Sequence, residues 1–279
     1  MSPEAKSEDL LYVATRGTED VYVYSYPNGK LVGTLTGFET PQGECVDKAG
    51  NVFITNTAAA QTLEYAHGGA SPIATLSDPG GYPQGCSVDP TTGNLAVADI
   101  GGNPSSSQGN VGIYAGASGT PTYYTDPDLY RPYFCGYDDK GNLFVDGTTR
   151  PSGGIGFAEL PRHSSTFTNI ALNHTIYWPG GVQWDGKVVA VGDEGDGYPN
   201  TTAVYEFSIK GSAGTLKGTT PFTDADRVYQ FWIDGDKIIG PDYDGQYVGF
   251  WKYPKGGYPV KMLTGFTYPF GTAISPATK

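Results

Sequence analysis

The chain has 279 residues and a formal net charge of −12, with 41 Gly, 21 Pro and 21 Tyr and a charged fraction of only 16%. Only 17 Lys and Arg stand against 29 Asp and Glu, so a basic face for nucleic acid is lacking and we expect no nucleic-acid partner. No apolar run is long enough to cross a membrane and no segment keeps a helical period, which argues against membrane insertion and against a helical fold.

The first nine residues are polar and contain no signal-peptide core, so we expect a polar tail over 1–9. The low charged fraction and the abundance of Gly, Ser, Thr and Tyr favour a secreted or cell-envelope protein from which a signal has been trimmed. A cytoplasmic start is the alternative.

One phrase recurs along the chain: an aromatic or Pro lead-in, a short apolar strand, a turn and a second strand. Its copies occupy 41–56, 83–99, 132–147, 179–193 and, most weakly, 229–242. The Gly-Asn turns are hairpin signals, because both residues accept a positive φ. A third strand with an aromatic centre follows, such as VGIYAG from Val111, and then a fourth, such as VKMLTGF from Val260. Four strands every 40–50 residues or so is the spacing of propeller blades, and five complete blades run from Pro41 to Phe266.

The two ends of the chain supply a sixth blade. Residues 268–275 read as a first strand without successors, and residues 10–38 read as second, third and fourth strands without a predecessor. Joining them closes the ring and removes exposed sheet edges. A β-solenoid or a pair of sandwiches does not explain this complementarity. The sequence therefore predicts a single all-β domain over 1–279, a six-bladed β-propeller with four antiparallel strands per blade, and we expect a monomer.

The phrase GNLAVAD from Gly93, followed by a loop and VGIYAG from Val111, resembles an NHL-repeat blade. Over nearly its whole length the chain is similar to bacterial NHL-like six-bladed propellers, many of unassigned function. The resemblance rests on the general pattern of a blade. It implies the fold and leaves the function open, because one fold serves many functions.

A candidate site lies where the connections into first strands meet those from second to third strands, which we call the lead-in face. The lead-ins carry the aromatic residues Tyr82, Tyr130, Trp178, Tyr229 and Tyr268. The second strands end in the polar residues Asn56, Asp99, Asp146, Asp193 and Asp242. The loops that follow add the charged residues Arg16, Arg150, Glu194, Asp196 and Asp244.

Aromatic faces suit sugar rings and cations, and carboxylates accept hydrogen bonds from a ligand. We therefore expect a non-catalytic binding site for a glycan, a peptide or a protein on the lead-in face. Its expected residues are Tyr82, Tyr130, Trp178, Tyr229, Tyr268, Asp99, Asp193 and Asp242. The alternative is structural: aromatic lead-ins wedge between blades, and Asp residues at strand ends cap turns. A purely structural or assembly propeller is the corresponding function.

Catalytic patterns are scarce, so an enzyme is the less favoured interpretation. Of three histidines, His67 and His163 fall in turns of the opposite face, His174 alone lies near the lead-in face, and no nucleophile-elbow sequence occurs. Six-bladed lactonases of the gluconolactonase type hold a divalent cation through Glu, Asn and Asp. Resemblance to them implies the metal ligands Glu44, Asn56, Asp99 and Asp193. The Glu-Gly-Pro lead-in of that family is replaced here by 41–44, PQGE, so a Ca²⁺-dependent hydrolase, lactonase or lyase remains the alternative function.

The three cysteines lie in the first strands of consecutive blades. Cys45 stands one position later than Cys86 in the aligned phrases, so alternation points the two side chains to opposite faces of their sheets. Opposite faces of adjacent blades confront one another, and a Cys45–Cys86 disulfide forms if the Cα atoms approach to about 4.4–6.8 Å. Cys135 shares the register of Cys86 and should not pair with it. Three buried thiols packed as small hydrophobes are the alternative.

Overall fold

The computed structural model describes residues 1–101, 108–149, 154–195 and 201–277. Strands dominate these ranges, because short β-prone runs alternate with Gly-containing turns. From the N-terminus they are β1 (Leu10–Thr15), β2 (Asp20–Ser25), β3 (Leu31–Leu35), β4 (Pro41–Val46), β5 (Val52–Asn56), β6 (Gln61–Tyr65), β7 (Pro72–Ser77), β8 (Pro83–Val88), β9 (Leu95–Asp99), β10 (Asn110–Tyr114), β11 (Thr122–Tyr124), β12 (Arg131–Tyr137) and β13 (Leu143–Thr148). They continue as β14 (Ile155–Leu160), β15 (Thr168–Asn169), β16 (Ala171–Leu172), β17 (Pro179–Trp184), β18 (Val189–Asp193), β19 (Ala203–Lys210), β20 (Ala213–Pro221), β21 (Trp232–Asp234), β22 (Lys237–Asp242), β23 (Tyr247–Lys252), β24 (Lys261–Thr264) and β25 (Pro269–Ser275).

The strands form six sheets around one axis, which confirms the predicted six-bladed β-propeller. Blades 1 to 5 comprise β4–β7, β8–β11, β12–β15, β17–β20 and β21–β24, and blade 6 has the order β25-β1-β2-β3. Blade 4 carries an additional short edge strand, β16, which runs parallel to β20 and which the repeat pattern did not predict. Short 3-10 turns occupy Pro3–Lys6, Thr57–Ala59 and Ala115–Ala117.

The closure of the ring is the one that the sequence predicts. In blade 6, β25 pairs antiparallel with β1, with Leu10 opposite Ser275 and Ala14 opposite Gly271. The expected polar tail also contributes, because Ala5 is fully buried against this blade. Both termini of the chain therefore belong to one sheet.

Each blade packs against a neighbour on both faces, and this explains its burial pattern. The second strands β1, β5 and β9 are buried along their whole length, whereas β2 alternates between buried and partly exposed residues. Complete burial of a Leu or Val side chain stabilises the fold by about 1.5–3 kcal/mol. The core is thus a ring of packed interfaces between blades.

The inner strands of neighbouring blades approach so closely that side chains are excluded at some positions. A β-carbon on Gly43 would lie 2.1 Å from the carbonyl oxygen of Gln84 in blade 2. A disulfide joins the same two blades, Cys45 Sγ to Cys86 Sγ at 2.10 Å, with 5.7 Å between the Cα atoms. Cys135 is a buried free thiol, and burial raises its pKa.

Side chains from non-adjacent blades fill the channel. Phe134 of blade 3 stacks on Phe270 of blade 6, with 6.4 Å between ring centroids. Gln230, in the lead-in to blade 5, reaches past blade 6 to blade 1, where its Nε2 donates to the Glu44 carbonyl oxygen at 2.7 Å and its Oε1 accepts from the Glu44 N–H at 3.0 Å. These contacts separate a mouth on the lead-in face from a cavity on the opposite face. In the described part of the chain no helix is long and apolar enough to span a membrane.

Candidate functional site

Strand register brings the predicted lead-ins and strand ends to one face. Pro41 lies opposite Asn56, and Pro179 lies opposite Asp193. The same pairing joins Pro83 to Asp99 in blade 2. Since the inner strand begins where the second strand ends, both sets of residues lie at the same end of their blades. Arg150 and Asp196, which were also expected here, fall outside the described residues.

Two of the predicted acids are bound to the backbone of their own lead-in loops. The Asp193 carboxylate accepts from the N–H groups of Tyr177 at 2.9 Å and Trp178 at 3.2 Å. In blade 5, Asp242 accepts from the N–H groups of Asp226 at 2.9 Å and Arg227 at 3.1 Å. Such bonds fix the backbone of the loop on which the neighbouring side chains stand. These acids therefore position the lead-ins.

Two other acids are buried between blades and do not reach the surface. Asp99 is fully buried, and burial raises its pKa well above the usual range, with the nearby Asp78 adding to the shift. Asp146 is also fully buried; its carboxyl accepts from the Phe134 N–H at 2.9 Å, and burial again raises its pKa. Neither acid is presented to a ligand in this conformation.

The metal set that the lactonase resemblance implied is not assembled. Glu44 is fully buried in β4, and its raised pKa results from burial. The Asn56 side-chain oxygen accepts from the Glu39 N–H at 2.6 Å. Across the described ranges, no three His, Cys, Asp or Glu side chains lie close enough to hold a metal ion. The acids do not converge, because Glu44 belongs to an inner strand whereas the others end second strands of different blades.

Aromatic rings cover the centre of the mouth. Tyr229 stacks on Phe270 with 4.2 Å between centroids and meets the edge of Tyr243 at 5.3 Å. Tyr243 stacks in turn on Tyr268 at 4.9 Å. Of these rings, Tyr229 and Tyr268 were expected at the site, whereas Phe270 and Tyr243 were not. They form a continuous platform contributed by blades 5 and 6.

Three of the five arginines in the chain surround this platform. The guanidinium carbon of Arg16 lies 5.9 Å from the centre of the Phe270 ring. Arg131, on blade 3, lies 5.9 Å from the centre of the Tyr130 ring. Arg227 pairs with Asp244, Nη1 to Oδ2 at 3.6 Å. The mouth is therefore ringed by guanidinium groups, although the chain as a whole is strongly acidic.

Glu194 lies within this ring and is only 8% exposed. Burial raises its pKa to about 8; the charge of Arg227 opposes the shift, and those of Asp193 and Asp244 add to it. Its Oε2 atom has no hydrogen-bond partner among the described residues. At neutral pH the carboxyl is therefore mostly protonated and can donate a hydrogen bond.

Two tyrosines complete the polar lining. Burial, with a contribution from Glu194, raises the pKa of Tyr133, while a hydrogen bond with Arg131 lowers it. Burial raises the pKa of Tyr229 to about 12, with Glu194 again adding and Arg227 opposing. Both phenols keep their protons at neutral pH. Together with the arginines and the protonated Glu194, they make the mouth rich in hydrogen-bond donors.

Exposed aromatic side chains form the outer rim. Tyr82, Trp178 and Tyr268 are 41%, 48% and 42% exposed. Trp178 and the still more exposed Tyr177 border a cavity of about 290 Å³ on blade 4. The remaining described residues of its lining are Asp193, Gly195, Thr201 and Tyr205.

Sequence reasoning missed several residues of the mouth, namely Tyr133, Tyr177, Tyr243, Phe270, Arg131 and Arg227. A signal was present, because each lies within three residues of a predicted lead-in or strand end. The repeated phrase predicts one aromatic residue in each lead-in and does not indicate that the residues beside it also line the mouth. Only packing between blades decides which of two adjacent side chains faces the mouth.

The opposite face has a cavity of about 310 Å³ around the ends of the inner strands, bordered in part by Tyr137, Trp184 and Trp232. Both ring nitrogens of His67 are hydrogen-bonded within the fold. Nδ1 lies 2.6 Å from Ser275 Oγ, and Nε2 lies 3.1 Å from the Glu8 carbonyl oxygen. His174, near the lead-in face, packs on Tyr205 with 4.2 Å between the ring centroids.

Comparison with solved structures shows how widely this fold is shared. A chain in the crystal structure of a nidogen–laminin complex has a TM-score of 0.77 at 13% identity, over 97% of this chain and 100% of that one. A protein of unknown function from Bacteroides caccae has a TM-score of 0.70 at 12% identity, over 96% and 99%. A functionally unknown protein from Desulfotomaculum acetoxidans DSM 771 has a TM-score of 0.64 at 14% identity, over 96% and 99%. No protein-family profile and no curated protein matches the sequence. These similarities show the fold alone.

Proposed function

We propose that this chain is a non-catalytic binding propeller that receives a projecting segment of a protein partner at the mouth of the lead-in face. The observation that carries the proposal is the convergence of four consecutive blades, 3 to 6, on one aromatic and donor-rich surface. Phe134, Phe270 and Gln230 fill the channel beneath it. A shallow surface above a filled channel suits docking better than enclosure of a small substrate.

The composition of the mouth supports a protein ligand. Tyr, Trp and Arg are the residues enriched at the energetic centres of protein interfaces, because they combine apolar area with hydrogen-bonding groups. The fold is also that of a chain found in a nidogen–laminin complex, which is an assembly of proteins.

The proposal includes a location and a blade type. Disulfides persist in oxidising compartments, so the Cys45–Cys86 bridge favours the cell envelope or the exterior. We assign the blades to the NHL-repeat type on the phrases at 93–99 and 111–116.

The test is selection of peptides from a random phage-displayed library on the full chain, followed by affinity measurements with three variants. Trp178→Ala and Tyr268→Ala remove exposed rings at the mouth, whereas Tyr258→Ala removes a ring that is 68% exposed between third and fourth strands, on the opposite face. We expect selected peptides to bind each mouth variant at least tenfold more weakly and Tyr258→Ala within twofold of the original. Equal binding by all three variants, or selection of no peptide, contradicts the proposal.

A further inference from the structure

The arginines at the mouth are only partly matched by carboxylates. Arg227 is matched by Asp244. In the described ranges, neither Arg16 nor Arg131 forms an ion pair with a carboxylate. Asp193 is bound to backbone N–H groups, and Glu194 is held in a buried position. Within the described part of the chain, these two guanidinium groups at the mouth therefore have no carboxylate partner, although the net charge of the chain is −12.

The two arginines stand on opposite sides of the mouth. Arg16 follows β1 of blade 6, and its N–H donates to the Tyr268 carbonyl oxygen at 3.0 Å. Arg131 begins β12 of blade 3, which is the opposite blade in a ring of six. The Phe134–Phe270 stack spans the channel between the same two blades. A group placed above that stack is flanked by both guanidinium groups.

The polar groups between the two arginines are donors. Arg16 lies over Phe270, and Phe270 stacks on Tyr229. Tyr229 is hydrogen-bonded to Arg227, and the charge of Glu194 acts on Arg227 as well. On the other side, Tyr133 is hydrogen-bonded to Arg131. Phenols donate as well as accept, and guanidinium groups only donate. The Glu194 Oε2 atom is buried beside this surface and has no hydrogen-bond partner among the described residues. A lining of this kind leaves a ligand acceptor to be supplied from outside.

We propose that the mouth binds a carboxylate side chain of the partner protein between Arg16 and Arg131. The inference rests on the proposed function and names the chemistry that the docked segment carries there. Arginine presents paired N–H groups that match a carboxylate, and such charge-assisted bonds are the stronger class. The aliphatic stem of a glutamate or aspartate packs on the partly exposed ring of Tyr229, beneath which Phe270 is buried. The positive charges of the arginines also attract an acidic segment to the mouth as it approaches.

Two fluorescein-labelled, N-acetylated peptides test the inference, hexaglutamate and hexaglutamine. Fluorescence anisotropy with the full chain should show hexaglutamate bound at least tenfold more tightly, with affinity falling as NaCl is raised. The double variant Arg16→Gln/Arg131→Gln should lose about tenfold or more in affinity for hexaglutamate, in line with the strength of charge-assisted pairs. Arg162→Gln, which removes one positive charge between the third and fourth strands of blade 3, should stay within twofold, and each single variant Arg16→Gln and Arg131→Gln should lose more affinity than it. Circular dichroism establishes that each variant is folded.

The outcomes separate this inference from the proposed function. Equal affinity for both peptides, or full affinity in the double variant, overturns the carboxylate site. If library-selected peptides bind at the mouth without acidic residues, the inference fails while the binding function stands. If neither selected peptides nor hexaglutamate binds, both fail. Binding of dextran sulfate that depends on Arg16 and Arg131, with no binding of hexaglutamate, overturns a protein carboxylate as the ligand.

Discussion

At the scale of single residues, the acids of the lead-in face divide into two groups with different physical roles. Asp193 and Asp242 are buried and hold lead-in backbones through hydrogen bonds. Asp99, Asp146 and Glu194 are buried as well, and burial raises the pKa of each of them and of Asp193. A raised pKa favours the neutral form of a carboxyl, and the neutral form does not repel an anionic ligand. The acidic ring that the sequence predicts is therefore less negative than its formal charge.

Glu194 gives a pH prediction with a definite sign. Its pKa is about 8 in the folded protein and 4.5 as its ordinary value, so between these values the folded state holds a proton that the unfolded state releases. Stability from this group is fully present below pH 4.5 or so and is lost as the pH rises towards 8. Glu194→Gln has a neutral side chain at every pH. Its free energy of unfolding should therefore rise relative to that of the original chain between about pH 5 and pH 9. The expected gain is a few kcal/mol, since one pKa unit corresponds to about 1.36 kcal/mol.

Urea unfolding of both proteins at three pH values across this range measures the difference. Other buried acids, such as Asp99 and Asp146, shift in the same direction, so the comparison between the two proteins is what isolates Glu194. Glu39→Gln changes an exposed carboxyl on the same face and serves as the control. A stability difference for Glu194→Gln that does not change with pH would show that this carboxyl is ionised at neutral pH.

At the scale of elements, the inner strands decide both closure and the position of the mouth. β25 must fit between blades 1 and 5 while pairing with β1. A β-carbon on Gly271 would lie 1.9 Å from the Gln42 carbonyl oxygen and 2.9 Å from Gln230 Oε1. The bond from Gln230 to Glu44 passes over this glycine. Closure and filling of the channel therefore depend on the same residue.

Gly271→Ala should destabilise the protein by about 1–3 kcal/mol or more. The added methyl group would displace the Gln42 backbone or Gln230, and moving Gln230 breaks its hydrogen bonds to Glu44. Gly154→Ala is the matched control, since a β-carbon there meets no atom within 4 Å. Thermal unfolding followed by circular dichroism compares the two. An unfolding midpoint unchanged by Gly271→Ala would mean that β25 does not pack as tightly as described.

The elements were largely predictable, because each blade repeats one phrase and the two ends of the chain complement each other. The strand β16 was not, since its pairing with β20 depends on where the connection from blade 3 passes in space. The roles of the acids were not predictable either. Asp193 ends β18 as expected and binds its own lead-in, whereas β13 continues to Thr148, so that Asp146 lies within the strand and is buried. The sequence pattern predicts where a residue lies along its strand, but it does not predict which side chains of the neighbouring blade pack against that residue.

At the scale of the whole molecule, the propeller separates stability from recognition. Interfaces between blades, the Cys45–Cys86 disulfide and the filled channel hold the scaffold. The lead-in loops stand on that scaffold and present aromatic and arginine side chains from four blades. Rigid elements that carry exposed loops are the usual arrangement for a binding surface. We therefore propose the mouth of the lead-in face as the docking surface.

Hydrogen exchange measured by mass spectrometry, with and without a saturating library-selected peptide, tests this claim most directly. We expect slower exchange in the peptide-bound state for the lead-in segments around Tyr130, Trp178, Tyr229 and Tyr268. We expect unchanged exchange for the hairpin turns of the opposite face, such as 138–142 and 185–188. Protection centred on those turns, around the cavity that Trp184 and Trp232 border, would contradict the claim.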